Sequence, residues 1–268
     1  MKKGIFTLLL VLCMVCTVAV MGTMTASAAE TSGSCGENVT WVFDSQTGTL
    51  TISGTGQMYY PLPTPPSFED DPFYFDDVTS VTPWASVEDS IKKIVVSEGI
   101  TNLYEKAFTG CYNVTEVSLP TTLESIGEKV FYGCTSLKTV ELPDNLHTIQ
   151  YMAFSASGLE SVVLPANVVN IHMDAFGNCK SLQSVVLPEN LKTLQSFVFQ
   201  ECNALTSVTF PAGLRVISNY AFYGCSSLEN VTLPDGMTTI EYHAFDNCTA
   251  LRSIEIPAGV TKIDKSTF

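Results

Sequence analysis

Positive charge is scarce in this 268-residue chain, where 13 lysines and arginines stand against 27 aspartates and glutamates. A surface of that balance repels nucleic acid and anionic lipid, so partners held through phosphate neutralisation are not expected. Histidine is rarer still. His147, His172 and His243 share no common repeat position, and beyond residue 29 there is no CxxC, which leaves zinc without a ligand set. Beyond the same point no apolar stretch approaches the roughly 20 residues of a membrane span. Nor does any segment supply a phosphate loop, an activated nucleophile or a paired acid and base. These absences predict a chain that is not an enzyme and works without metal or cofactor.

The long hydrophobic run lies at the N-terminus. Lys2 and Lys3 precede it, and the small residues Ala26, Ser27, Ala28 and Ala29 follow. That is the order of a secretory signal peptide over residues 1–29, with a mature chain starting near Ala29 or Glu30. Leu12 and Val15, rather than small residues, stand before Cys13 and Cys16, which argues against a lipid anchor. The expectation is a secreted, extracellular protein. Without Lys2 and Lys3, 27 acidic and 11 basic side chains remain, a formal charge of −16 that helps keep an exported chain in solution.

What the chain has in abundance is a period. Phenylalanine recurs at 108, 131, 154, 176, 199, 222, 245 and 268, a step of 23 residues with one step of 22. Prolines at 120, 143, 165, 188, 211, 234 and 257 keep the same beat, as do cysteines at 111, 134, 179, 202, 225 and 248. A unit of that length cannot close a core by itself, so neighbouring units must bury each other's faces in a solenoid. Phe131, Phe154, Phe176, Phe199, Phe222 and Phe245 are then one core column, and Cys134, Cys179, Cys202, Cys225 and Cys248 belong to another. An odd number of cysteines in a secreted chain ordinarily suggests disulfides with one spare. Here six of the seven beyond the leader share one repeat position, and Ser157 stands in that position in the 22-residue unit. Free, buried thiols acting as small apolar residues are therefore expected.

One unit reads CTSLKTVELPDNLHTIQYMAF, from Cys134 to Phe154. Val140 and Leu142 alternate with Thr139 and Glu141 as in a half-buried strand. Pro143 ends that strand and turns the chain towards the apolar pair Leu146 and Ile149. The segment QYMAF is too short for a stable helix and predicts a helical or 3₁₀ turn. The first strand is IKKIVVSEG, and residues 91–268 make about eight coils. Residues 30–90 do not follow the period. WVFDSQTGTLTIS within them alternates on both sides of Thr47-Gly48, which predicts a β-hairpin and hence an N-terminal β-rich cap. The acidic loop carrying Glu69, Asp70, Asp71, Asp76 and Asp77 matches no calcium-loop spacing and reads as a solvated part of that cap. The last residue, Phe268, falls on the core position, which suggests a truncated array or a covered end.

The unit LxxVxLPxxLxxIxxxAFxxC resembles the BspA-type leucine-rich repeat, the treponemal class, over residues 91–268. FSASGLESVVLP looks like the short variant of that repeat, and SGSCGENVTWVFDSQTGTLTISGTGQM is similar to a segment that often precedes it in secreted bacterial proteins. The resemblance implies a right-handed solenoid with a parallel β-sheet on one face. It also implies an exported or surface-displayed protein that adheres to host or microbial surface proteins, with no catalytic residues to carry over. The chain shows no sorting signal or cell-wall-binding tail, so how it would be held at a surface is left open. A rigid spacer presenting other domains is the alternative.

Two surfaces qualify for an extracellular protein or glycoprotein partner. On the strand face away from the core, Thr139, Ser161, Ser184, Ser207 and Asn230 form one column, and Glu141, Val163, Val186, Thr209 and Thr232 another. These side chains are small and mostly uncharged, and make an even strip along which a protein could lie. Glu141 and Glu255 are several coils apart, too far for the roughly 5 to 10 Å of a glycosidase pair. The second surface is an aromatic edge just before the core phenylalanines, with Tyr151, Met152, Phe197, Tyr220, Tyr242 and His243. Aromatic rings on a loop edge serve as binding anchors.

Overall fold

The computed structural model describes residues 31–59 and 82–268. The signal-peptide segment and the acidic loop read from the sequence lie outside the described residues. The rest is a parallel β-solenoid with little helix, as the period requires, and three ladders run along it.

The first ladder uses the LxxVxLP segment. Strands Lys93–Val96 and Glu116–Ser118 pair in parallel, as do Ser161–Val163, Ser184–Val186 and Ser207–Thr209, and then Val231–Thr232 and Ile254–Glu255. Register advances by one repeat at each step, so Val162, Val185 and Val208 all face the core while their neighbours on either side face outward. That is the period-2 alternation of a half-buried strand. One coil departs from the expectation. Thr139–Glu141 keeps the alternation, with Val140 buried and both neighbours exposed, but joins no strand ladder. The coil that follows it is the one a residue short. At the entry to that strand the amide of Glu160 donates to Lys138 O at 2.8 Å, and the Lys138–Glu160 ion pair joins the same two residues.

The second ladder is an addition to what the sequence suggested. The LxxI segments, read as an apolar pair after a corner, form two-residue parallel strands: Ser125–Ile126, Thr148–Ile149 and Asn170–Ile171 on one run, and Thr193–Leu194, Val216–Ile217 and Thr239–Ile240 on the next. Their isoleucines and leucines point inward and are buried. The core is thus held between two parallel sheets, one on each side.

The third ladder closes the coil at the AF segment, and it is not helical. Among the described residues the 3₁₀ helix is Ala85–Ser90, in the cap. At each AF turn the residue two before the phenylalanine has a positive φ, as in Lys129, Met152, Asp174, Phe197, Tyr220 and His243, and so does the residue two after it. Left-handed residues four positions apart, on either side of the phenylalanine, cannot continue a helix. Instead they aim alternate amides at the next coil. Phe131 N donates to Ala153 O at 2.7 Å, Phe154 N to Ala175 O at 2.8 Å and Phe176 N to Val198 O at 3.0 Å, and the pattern runs from Phe108 to Phe245.

Inside, the phenylalanine rings form a continuous stack. Neighbouring centroids are 5.2–5.8 Å apart from Phe108 to Phe268. Beside them runs the thiol column. Cys134, Cys179, Cys202, Cys225 and Cys248 are unpaired, buried, and each points its Sγ at the backbone oxygen of a phenylalanine in the preceding coil, at 3.1–3.3 Å. Ser157 keeps the column continuous, with its Oγ 3.3 Å from the Cys179 sulfur.

The hairpin expected at Thr47-Gly48 joins Val39–Asp44 to Thr49–Gly54, and Gly48 turns it with φ +70°. The hairpin also feeds the solenoid. Thr49–Gly54 pairs in parallel with Lys93–Val96, and Gly56–Gln57 with Ile100–Leu103, so residues 49–57 begin the parallel run of both sheets. Trp84 then begins the aromatic stack, 5.6 Å from Phe108. The cap supplies a first coil assembled from separate pieces.

Candidate functional site

The strand face is built by the first ladder. Ser161, Ser184 and Ser207 stand in line, as do Val163, Val186 and Thr209, because the parallel register repeats them. Ser207 bridges on to Asn230, and Thr232 pairs with Glu255. Thr139 and Glu141 are exposed at the same side but lie off the ladder. Val163 is 75% exposed and Val186 54%, high values for apolar side chains on adjacent strands. From Ser161 to Asn230, three strand steps at about 4.8 Å give this uncharged strip a length of roughly 15 Å. Charge borders it. Lys93 pairs with Glu116, and Lys138 with Glu160, on the N-terminal side. At the other end Asn230, Thr232, Asp235, Ser253 and Glu255 line a shallow depression of about 390 Å³.

The aromatic edge is divided by the structure. Phe197 and Tyr220 stack at 4.8 Å with planes 6° apart, and Tyr220 stacks on His243 at 4.7 Å. These three rings share the left-handed position of successive coils, and they spend their faces on one another. Tyr242 lies edge-on to Tyr220 at 5.8 Å and is 43% exposed. His243 Nδ1 is 2.6 Å from Asp246 Oδ2, which orients the ring. Tyr151 stands apart from this group, with Lys129 Nζ 5.6 Å from its ring centroid. The sequence placed all of these on one edge; the structure joins Phe197, Tyr220, Tyr242 and His243 and leaves Tyr151 separate.

A third feature was not singled out by the sequence. The missing residue of the 22-residue coil leaves a notch of about 540 Å³ on the turn edge, lined in part by Tyr132, Thr135, Met152, Ser155, Asp174 and Lys180. Asp174, Ser155 and Ser157 are all buried there. Asp174 Oδ1 accepts a hydrogen bond from Gln200 Nε2 at 2.9 Å, and Ser155 donates to the same carboxylate. Burial pushes the Asp174 carboxyl above its usual range, and those two hydrogen bonds pull it part of the way back. The signals for it were the one short repeat step and an aspartate in the column that elsewhere holds Phe197 and Tyr220.

Among the described residues no group of three His, Cys, Asp or Glu side chains converges to hold a metal ion, and no helix is long and apolar enough to cross a membrane. The pattern of the family described as BspA type Leucine rich repeat region matches residues 76–182 and 148–268, in six copies. A leucine-rich repeat protein from Bacteroides ovatus is similar, at 26% identity and a TM-score of 0.64, over 84% of this chain and 59% of that one. This chain thus spans less than two thirds of that relative's length. The Treponema pallidum leucine-rich repeat protein is similar at 25% identity and a TM-score of 0.56, over 79% of this chain and 87% of its own. A leucine-rich repeat protein from Eubacterium ventriosum shares the fold at 23% identity and a TM-score of 0.51, over 83% of this chain and 71% of that one. No curated protein matches the chain.

Proposed function

The chain belongs to the BspA-type leucine-rich repeat family, and from that premise we propose that it is an exported, non-enzymatic module that binds proteins on host or microbial surfaces. Repeat proteins of this kind are in general interaction or structural modules. The observation that carries the finer reading is the pair Val163 and Val186, held side by side and open to solvent on a strip without charge. Isolated exposed valines are ordinary, but two in register with serines and threonines around them make an even surface that loses little on desolvation. An extended partner chain laid along the strip meets the same spacing at every coil. The leader-like residues 1–29 support export, and the absence of the 23-residue period before residue 91 supports the division into leader, cap segment 30–90 and repeat array 91–268.

The test is binding of the purified protein to host matrix proteins, mucins and glycans at physiological salt. A saturable signal for particular proteins supports the reading, and a signal lost on substituting Val163 places it on the strip. Silence from a folded sample removes it. A second reading, a rigid spacer presenting other domains, is favoured by the unbroken ring stack and three backbone ladders, which resist bending. Under that reading no array member binds.

A further inference from the structure

We propose that the notch over Asp174 receives the ammonium group of a lysine side chain from a polypeptide partner. It is a site separate from the strand strip, on the turn edge of the coil that is one residue short. Four observations lead there.

First, the notch exists because of a deletion. In the other units one residue stands between the cysteine position and the next, as Thr135 and Lys180 do, and the run Ser157-Gly158 lacks it. Thr135 and Lys180 are left as the two banks of a gap. Second, the gap reaches a carboxylate. Among the described residues Asp174 is the charged side chain that is buried, 3% exposed, and the others buried with it are the hydroxyls of Ser155, Ser157 and Thr267. Third, that carboxylate has no cation paired with it among the described residues; Gln200 and Ser155 are its hydrogen-bond partners. A buried charge held only by neutral groups gains most from an incoming counter-charge. Fourth, Gly177 is what makes room for it. A Cβ there would lie 1.7 Å from Asp174 Oδ1, so the carboxylate occupies space that a side chain would otherwise fill.

The chemistry selects the ligand. A hard divalent cation needs six or more oxygens and usually several carboxylates, and the notch offers one. Arginine favours a two-pronged grip on both carboxylate oxygens, but Oδ1 is already taken by Gln200. An ammonium group is a compact point charge with three donors, suited to the acceptor capacity that a carboxylate holding two neutral donors still has and to neighbouring hydroxyls. Met152 and Tyr132 supply apolar wall for a four-carbon stem. The acidic excess of the whole chain draws basic segments towards it before contact.

The probe is N-acetyl-lysine methylamide, with N-acetyl-norleucine methylamide as its uncharged match, titrated into the purified protein and followed by backbone amide shifts. Expected are saturable shifts at Ser155, Asp174 and Gln200 with the lysine probe. Binding should be about tenfold weaker or more for the norleucine probe and for Asp174→Asn, the scale of one lost charged hydrogen bond. Ser181 also lines the notch and is exposed, so Ser181→Trp, which narrows the opening and leaves Asp174 in place, should also abolish the shifts, and it carries the test if Asp174→Asn does not fold. Equal binding of the two probes, retained affinity in either variant, or no saturation with the lysine probe overturns the proposal. None of these outcomes depends on what the strand strip binds.

Discussion

Trp84 stands in the phenylalanine column. Its ring lies 5.6 Å from Phe108 with planes 25° apart, and its indole N–H donates to Ala107 O at 3.0 Å. Trp41 meets its other side edge-on at 6.0 Å. The stack therefore runs from the cap into the repeats without a seam. Trp84→Ala should lower stability by about 3 to 5 kcal/mol, the range for emptying a large aromatic site. Trp84→Phe should keep the stack and lose only the hydrogen bond, at a cost of about 1 to 2 kcal/mol. Urea unfolding of the two variants checks the order.

The short coil depends on Gly158. A Cβ at that position would lie 2.0 Å from the backbone oxygen of Thr135 in the preceding coil, which has no flexible end to move aside. Gly158→Ala is expected to cost about 1 to 3 kcal/mol by overpacking. Gly213→Ala is the control, because its nearest neighbour is the mobile tip of Lys192, and its melting temperature should hardly move.

The thiol column makes stability fall in alkali. Burial pushes the Cys134, Cys179 and Cys248 thiols up to about 12 from an ordinary 9.0. The unfolded chain releases these protons first, so the thiols' contribution is whole below pH 9 and is lost as pH rises through about 12. Urea midpoints should drop across that window, and less steeply in Cys179→Ala. Thiol reagents at neutral pH should label the protein only after denaturant is added.

The strand strip and the aromatic edge separate by mutation. Val163→Glu changes an exposed side chain, so stability should stay within about 0.5 kcal/mol while partner binding falls. Tyr220→Ala should do the reverse, costing about 1 to 3 kcal/mol because it removes the middle ring between Phe197 and His243. Chemical unfolding and a binding isotherm on each variant distinguish the two.

Much of this was visible in the sequence because a solenoid repeats its instructions. The columns from Phe108 to Phe268 and from Cys111 to Cys248 follow from spacing alone, and so does the alternation of the first sheet, which survives in every unit even where Thr139–Glu141 leaves the ladder. The second sheet was hidden because its strands are two residues long, as in Thr148–Ile149, too short for alternation to show. The left-handed turns were hidden for another reason. Before each phenylalanine the positive-φ position holds Lys129, Met152, Asp174 or Tyr220 rather than glycine, so no residue type announces it; the register of bonds to the next coil imposes it. Trp84 was missed as a stack member because it is a different residue 24 positions away rather than 23. Asp174 was missed because its burial depends on the space left by Gly177, a contact that no spacing in the sequence announces.

A perfectly periodic surface has no landmarks: a partner that fits one rung fits the next as well, and can slide. The single dropped residue between Ser157 and Gly158 breaks that translational equivalence at one place. It turns a ruler with identical marks into one with a zero. Any partner that reads both the strip and the notch is held in a single alignment, and the length of repeat on either side of the mark sets how much of it can be read.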